Sequence, residues 1–153
     1  MASRLQKETK KRLPFESLEQ EAALNLQKTA DHLLATASDT FKGVNLSPTQ
    51  YNVLRILRGA GEPLACGEIA DRMITREPDM TRLLDRLEKR GLITRSRSTS
   101  DRRVVETSIT AKGLELLKRL DEPVVALHER QLGHLGKVKL RQLIELLEQA
   151  RGS

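Results

Sequence analysis

Apolar residues fall at intervals of three or four along most of this chain, and near residue 92 the interval drops to two. Ala22, Leu26, Ala30, Leu33, Ala37 and Phe41 mark one face of a long amphipathic helix from Glu16 to about Lys42, which Gly43 ends. In LSPTQYNVLRILRGAGEP, Ser47 is placed to cap a second helix with Pro48 at its first position. Tyr51, Leu54 and Leu57 form its buried face, and Gly59, Gly61 and Pro63 stop it. Leu64 to Cys66 fits a short edge strand, and Gly67 to Met73 a short helix through Ile69, Ala70 and Met73. Met80, Leu83, Leu84 and Leu87 share one face of a further helix, with Thr75 as its N-cap, Glu77 and Pro78 in its first turn, and Arg90 and Gly91 at its end.

The run LITRSRSTSDRRVVETSIT, residues 92 to 110, then reads as a β-hairpin whose loop carries arginines. Beyond it Thr110 caps a helix in which Leu117, Leu120, Val124 and Leu127 form a seam suited to helix pairing, with a kink expected near Leu120 because Pro123 removes a hydrogen bond. Gly133 and Gly136 bracket a break, and Leu140, Leu143, Ile144 and Leu147 define a last amphipathic helix. The fold class implied is mainly α with a small hairpin wing, a winged helix-turn-helix. Residues 1–14 read as a flexible basic arm and 15–153 as one domain, with the winged part at about 46–110 and flanking helices at about 16–42 and 111–150. Those flanking helices carry more apolar surface than one small core can cover. A twofold homodimer is the expected way to bury it.

Charge sharpens this picture. From Arg76 to Arg103 nine basic residues stand against five acidic ones, and the first twelve residues add Arg4, Lys7, Lys10, Lys11 and Arg12 against Glu8. The net charge is +6, so the positive excess is concentrated on the presumptive reading head and one tail, as a nucleic-acid partner requires. The tail fits either a solvated end or a phosphate-contacting arm. Aromatic residues make up 2% of the chain, so the core is aliphatic. The single cysteine, Cys66, excludes an intramolecular disulfide and reads as a small, partly buried residue. No apolar run approaches the roughly 18–20 residues that span a bilayer, and the N-terminus lacks the apolar core of a secretion signal. The expectation is a cytoplasmic protein with no membrane partner.

A helix fits the major groove of double-stranded DNA, where side chains near its start reach base edges and later ones meet phosphates. Arg76, Thr81, Arg82 and Arg86 occupy the face that the leucines leave free, and Arg76 and Arg82 suit bidentate contact with guanine. The competing account is a solvated basic face. The hairpin adds Arg95, Arg97, Asp101, Arg102 and Arg103. A wing-tip arginine fits the minor groove with an adjacent aspartate holding its guanidinium, and an Asp-Arg turn that merely closes the hairpin fits the same residues.

The order of LSPTQYNVLRIL, TRLLDRLEKRGLITR, the DRR of the wing and SITAKGLELL resembles the MarR family of bacterial transcription regulators over residues 16 to 150. The resemblance implies a triangular homodimer built on the first, fifth and sixth helices. It further implies two winged domains on a palindromic operator, usually acting as a repressor, with Arg103 entering the minor groove and Asp101 orienting it. It also implies, for many members, a response to small phenolic or other lipophilic effectors. His32, Tyr51 and His128 are the candidates for such a pocket, although Tyr51 also fits the core and the histidines the surface.

Enzymatic readings find no support. His128 and His134 are six apart where a helical zinc protease motif needs four, and no phosphate-binding glycine loop or nucleophile elbow occurs, so no cofactor or metal is expected. The remaining alternatives are a winged helix used as a protein-interaction module, and a basic protein that binds nucleic acid without sequence preference.

Overall fold

The computed structural model describes residues 1–152. It comprises two compact units, Met1–Ala37 and Ser38–Ser153 by their outer limits, with the boundary inside one continuous helix. In the first unit, helix α1 (Arg4–Glu8) is capped by Ser3 and buries Leu5. The basic N-terminus is therefore not wholly the loose arm expected of residues 1–14: the Ser3 cap and the burial of Leu5 hold a turn of helix there. The long helix α2 (Leu18–Lys42) follows, and most of its apolar positions in this unit are exposed, Leu34 at 53%.

Ala37 at the limit of the first unit is buried, and in the second unit α2 ends with Phe41 buried. The left-handed residue that turns the chain is Asn45 (φ 50°) rather than Gly43. Helix α3 (Pro48–Ala60) starts with a full capping box: the Ser47 hydroxyl accepts the Gln50 amide, and the Gln50 side chain accepts the Ser47 amide. Val53, Leu54 and Leu57 are buried, and the helix runs through Gly59 to stop at Gly61, whose φ of 67° suits glycine. Strand β1 (Leu64–Ala65) and helix α4 (Cys66–Arg72) follow, Cys66 opening the helix rather than closing the strand.

Helix α5 (Met80–Lys89) begins four residues later than Thr75 would have it, on Asp79 as N-cap. Pro78 disfavours helical geometry at Glu77, and the Asp79 carboxylate offers a ready acceptor to the Arg82 amide at 3.0 Å. Met80, Leu83, Leu84 and Leu87 are all buried, each contributing about 1.5–3 kcal/mol by leaving water. Strands β2 (Ile93–Arg97) and β3 (Val105–Ile109) form the hairpin, and β1 adds to it, giving an antiparallel sheet in the order β1-β3-β2. Leu64 pairs with Thr107 and Arg95 with Thr107 across the other edge.

Helix α6 (Ala111–Leu132) is continuous through Pro123. Its Leu117, Leu120, Val124 and Leu127 are buried within this unit, where α6 packs on α3, so the seam suited to helix pairing finds its partner inside the chain. The helical period marks an apolar face without saying what covers it. A 3-10 turn (Gly133–Leu135) leads into helix α7 (Gly136–Arg151), none of whose residues is buried; Ile144 is 54% and Leu146 63% exposed.

Candidate nucleic-acid interface

Helix α5 divides its circumference cleanly. Its leucines face the core, Thr81, Arg82, Arg86 and Lys89 are exposed, and Asp85 and Glu88 lie half-buried between the two faces. Arg76 sits in the exposed turn before the helix rather than on it, because α5 starts at Met80. That turn is held by a residue with no periodic signal: Asn52 of α3, whose side-chain oxygen accepts the Ile74 amide at 2.8 Å.

The wing tip is folded around Ser98, which is 5% exposed. Its amide donates to the Val104 carbonyl at 2.8 Å, and its hydroxyl accepts the amides of Ser100 and Asp101. Asp101 in turn accepts the Arg103 amide at 3.1 Å and the Arg103 guanidinium Nε at 3.2 Å. The arginine side chain is 91% exposed, so its carboxylate neighbour aims it without sequestering it. These hydrogen bonds to the charged form hold the Asp101 carboxyl below the usual carboxylate range. Arg102 projects into solvent, and its carbonyl accepts a 2.8 Å bond from the exposed Arg97 guanidinium, which stiffens the turn.

Arg95 is placed differently from the other predicted contacts. Only 22% of its side chain is exposed, and its guanidinium donates to Asp85 and, at 2.9 Å, to Glu88. Both carboxylates raise the Arg95 pKa, and Arg95 lowers that of Glu88. The sequence pattern did not indicate this partnership, since nothing in it says that β2 lies against that side of α5. Arg90, at the end of α5, donates to the carbonyls of Val44 and Asn45 and so closes the turn after α2.

A consistent division emerges. Every acidic residue from Glu77 to Asp101 accepts a defined bond: Glu77 from the Asp79 amide, Asp79 from the Arg82 amide, Asp85 and Glu88 from Arg95, Asp101 from Arg103. The side chains of Arg76, Arg82, Arg86, Lys89 and Arg102 have no such partner among the described residues. Acids here organise structure, and these five cations are left with their donors free, which is what polyanion binding requires.

The three candidate effector residues lie in different surroundings. His32, in the first unit, lines a polar hollow with Arg4, Glu8 and Lys28. His128 is exposed on α6. Tyr51 packs against Phe41 with the rings tilted by 46° and their centroids 4.9 Å apart, its hydroxyl accepting the Arg55 guanidinium at 3.0 Å. Behind Phe41 is a hollow of about 580 Å³ whose apolar floor is Phe41, Leu46 and Pro48 and whose rim carries Lys42, Arg86, Lys89 and Arg90. No cluster of three potential metal ligands occurs among the described residues.

Residues 46–105 match the model of the MarR family. The chain is 31% identical over 144 residues to YkoM, an HTH-type transcriptional regulator of Bacillus subtilis, covering 91% of this chain and 92% of that one. It is 50% identical to a MarR transcription factor from Planctomyces limnophilus whose crystal structure superposes with a TM-score of 0.67, over 88% of this chain and 98% of the other. The structure of NadR in complex with 4-hydroxyphenylacetate is 26% identical, with a TM-score of 0.72 over 92% and 99% of the two chains.

Proposed function

The chain belongs to the MarR family of DNA-binding transcription regulators, and from that premise we propose that it is a homodimeric repressor of a palindromic operator, released by a small lipophilic anion. The observation that carries the DNA half is the division of charge on the reading head: acids tied into the fold, and Arg76, Arg82, Arg86, Lys89 and Arg102 exposed and unpartnered along the turn before α5, its free face and the wing tip that also carries Arg103. Thr81 and Arg82, in the first turn of α5, are the base-reading residues of this proposal, Arg86 and Lys89 its phosphate contacts, and Arg103 the minor-groove probe that Asp101 aims. Arg97 and Arg102 stiffen and charge the wing.

The dimer half is supported by the exposed apolar positions of α2 and α7, among them Leu34, Ile144 and Leu146, which a second copy of the chain would cover. Two reading heads related by a twofold axis meet half-sites about one DNA turn, roughly 34 Å, apart. The effector half places the ligand in the hollow floored by Phe41, Leu46 and Pro48, whose Arg86 and Lys89 also lie on the free face of α5. The ligand that NadR holds, 4-hydroxyphenylacetate, has chemistry complementary to this hollow: an aromatic ring to lie on Phe41, Leu46 and Pro48, and a carboxylate to meet Lys42, Arg86 and Lys89. An anion bound there neutralises charges that the phosphates otherwise use and biases the spacing of the two heads.

The test is binding of the purified protein to DNA from its own upstream region and to shuffled DNA across a salt series, with and without 4-hydroxyphenylacetate. A large preference for one sequence, steep loss with salt, and release by the acid are expected. Salt-sensitive binding without preference refutes operator reading. Binding that no aromatic acid weakens refutes the effector half alone.

A further inference from the structure

We propose that Arg95 is a positioning residue that sets the wing against the recognition helix α5, with Asp85 and Glu88 as its counter-groups, so that two carboxylates strengthen the binding of a polyanion. This rests on the DNA-reading function proposed above. Asp85 and Glu88 are three residues apart on α5 and so project from the same side, between its buried and free faces. Arg95 is the central residue of β2, and its Nη2 donates to both carboxylates. The other oxygen of Glu88 accepts the Arg95 backbone amide at 3.1 Å. One residue is thereby held through its side chain and its main chain, which fixes the rotation of the strand as well as its distance from the helix.

The sheet offers the outer hairpin little else. Strand β2 is an edge strand bonded only to β3, and β1 reaches only Thr107 and Glu106. The part of the hairpin that carries Asp101 and Arg103 lies beyond that support, so a small rotation at Arg95 is amplified at the tip. A single exposed ion pair is worth little, but here one guanidinium nitrogen shared between two carboxylates is joined by a backbone bond, and lysine, whose nitrogen sits one bond closer to the backbone, falls short of the point where both carboxylates meet.

The two roles open to Arg95 predict opposite signs. Asp85, Glu88 and Arg95 together carry one negative charge, so if the trio acts only through its charge, neutralising the acids tightens DNA binding. If it holds the wing, the same change weakens binding. The experiment measures affinity of the full-length Asp85→Asn/Glu88→Gln variant for duplex DNA that the wild-type protein selects from a random pool, beside Arg103→Ala and the triple variant, with circular dichroism to verify the fold. Expected are roughly tenfold weaker binding by the double variant and little further loss in the triple, since a misplaced wing has already lost the Arg103 contact. Arg95→Lys keeps the charge and is the second variant: a positioning role predicts a similar loss, a phosphate contact predicts unchanged affinity and salt slope. Equal or tighter binding by the double variant, losses that add independently to that of Arg103→Ala, or an Arg95→Lys protein indistinguishable from wild type would each overturn the inference. Failure of the wild-type protein to select any sequence would overturn the operator-reading function, and the inference with it.

Discussion

Replacing Gly113 by alanine measures how tightly the reading head is joined to α6. Gly113 is the third residue of that helix and is buried where the helix crosses the sheet; a Cβ there would lie 2.5 Å from the Leu92 carbonyl oxygen and 2.7 Å from Ile109 Cγ1. The isoleucine can turn aside. The carbonyl cannot, because it is backbone and already accepts the Thr110 amide at 3.1 Å, beside a 2.6 Å bond from the Thr110 hydroxyl to Gly91 and one of 2.7 Å from Lys112 to the Arg90 carbonyl. Relief to ordinary contact moves the helix by about 1 Å against those bonds, and overpacking of this kind costs about 1–3 kcal/mol. Alanine returns at most about 1 kcal/mol through helix propensity. Because the closest contact is with backbone, the upper part of that range applies, and about 2–3 kcal/mol less about 1 leaves a net loss of about 1–2 kcal/mol, which lowers the melting temperature by about 2–8 °C for a chain of this size. Thermal and urea unfolding followed by circular dichroism reads it, with Gly67→Ala in α4 as control, since nothing lies within 4 Å of a Cβ there. A Gly113→Ala protein as stable as wild type, or more so, would refute the claim that this junction has no room.

Arg82→Ala should relax base preference at one operator position at a cost of about 1–3 kcal/mol while the protein stays folded, read by competition with single-base operator variants; loss spread evenly over all sequences would assign Arg82 to phosphate instead. Ile144→Glu should shift sedimentation toward the monomer, because a carboxylate cannot be covered by an apolar face of a second chain; an unchanged sedimentation coefficient would move the interface away from α7. Asp121 accepts both Arg58 guanidinium nitrogens, at 2.8 and 3.1 Å, and this pairing, like that of Glu88 with Arg95, holds the carboxyl below the usual range. A lowered folded-state pKa contributes stability that is present above the unfolded value and lost as pH falls through the folded one. Urea midpoints should therefore drop on acidification through and below the usual carboxylate range, and Asp121→Asn should flatten that acid limb; parallel limbs would remove the pair from the account.

Local rules along the chain determined most elements beyond the N-terminal turn of helix, because they depend on neighbours a few residues away: the Ser47 and Thr110 caps, the α5 leucines, the two-residue period of the wing and the aspartate beside Arg103 were all legible without coordinates. They failed where two signals competed locally, as when Pro78 and Asp79 displaced Thr75 as the start of α5. What covers each surface was decided only in three dimensions. The period that makes Leu117 to Leu127 a seam is the same whether α3 or another chain lies against it, and the fold chose α3. Likewise Arg95 reads as one more cation in a basic loop until β2 is laid against α5, when two carboxylates seven and ten residues earlier in the chain claim it. Periodicity and capping are properties of one segment with its own backbone, whereas burial and ion pairing belong to pairs of segments, and the chain brings those together only by folding.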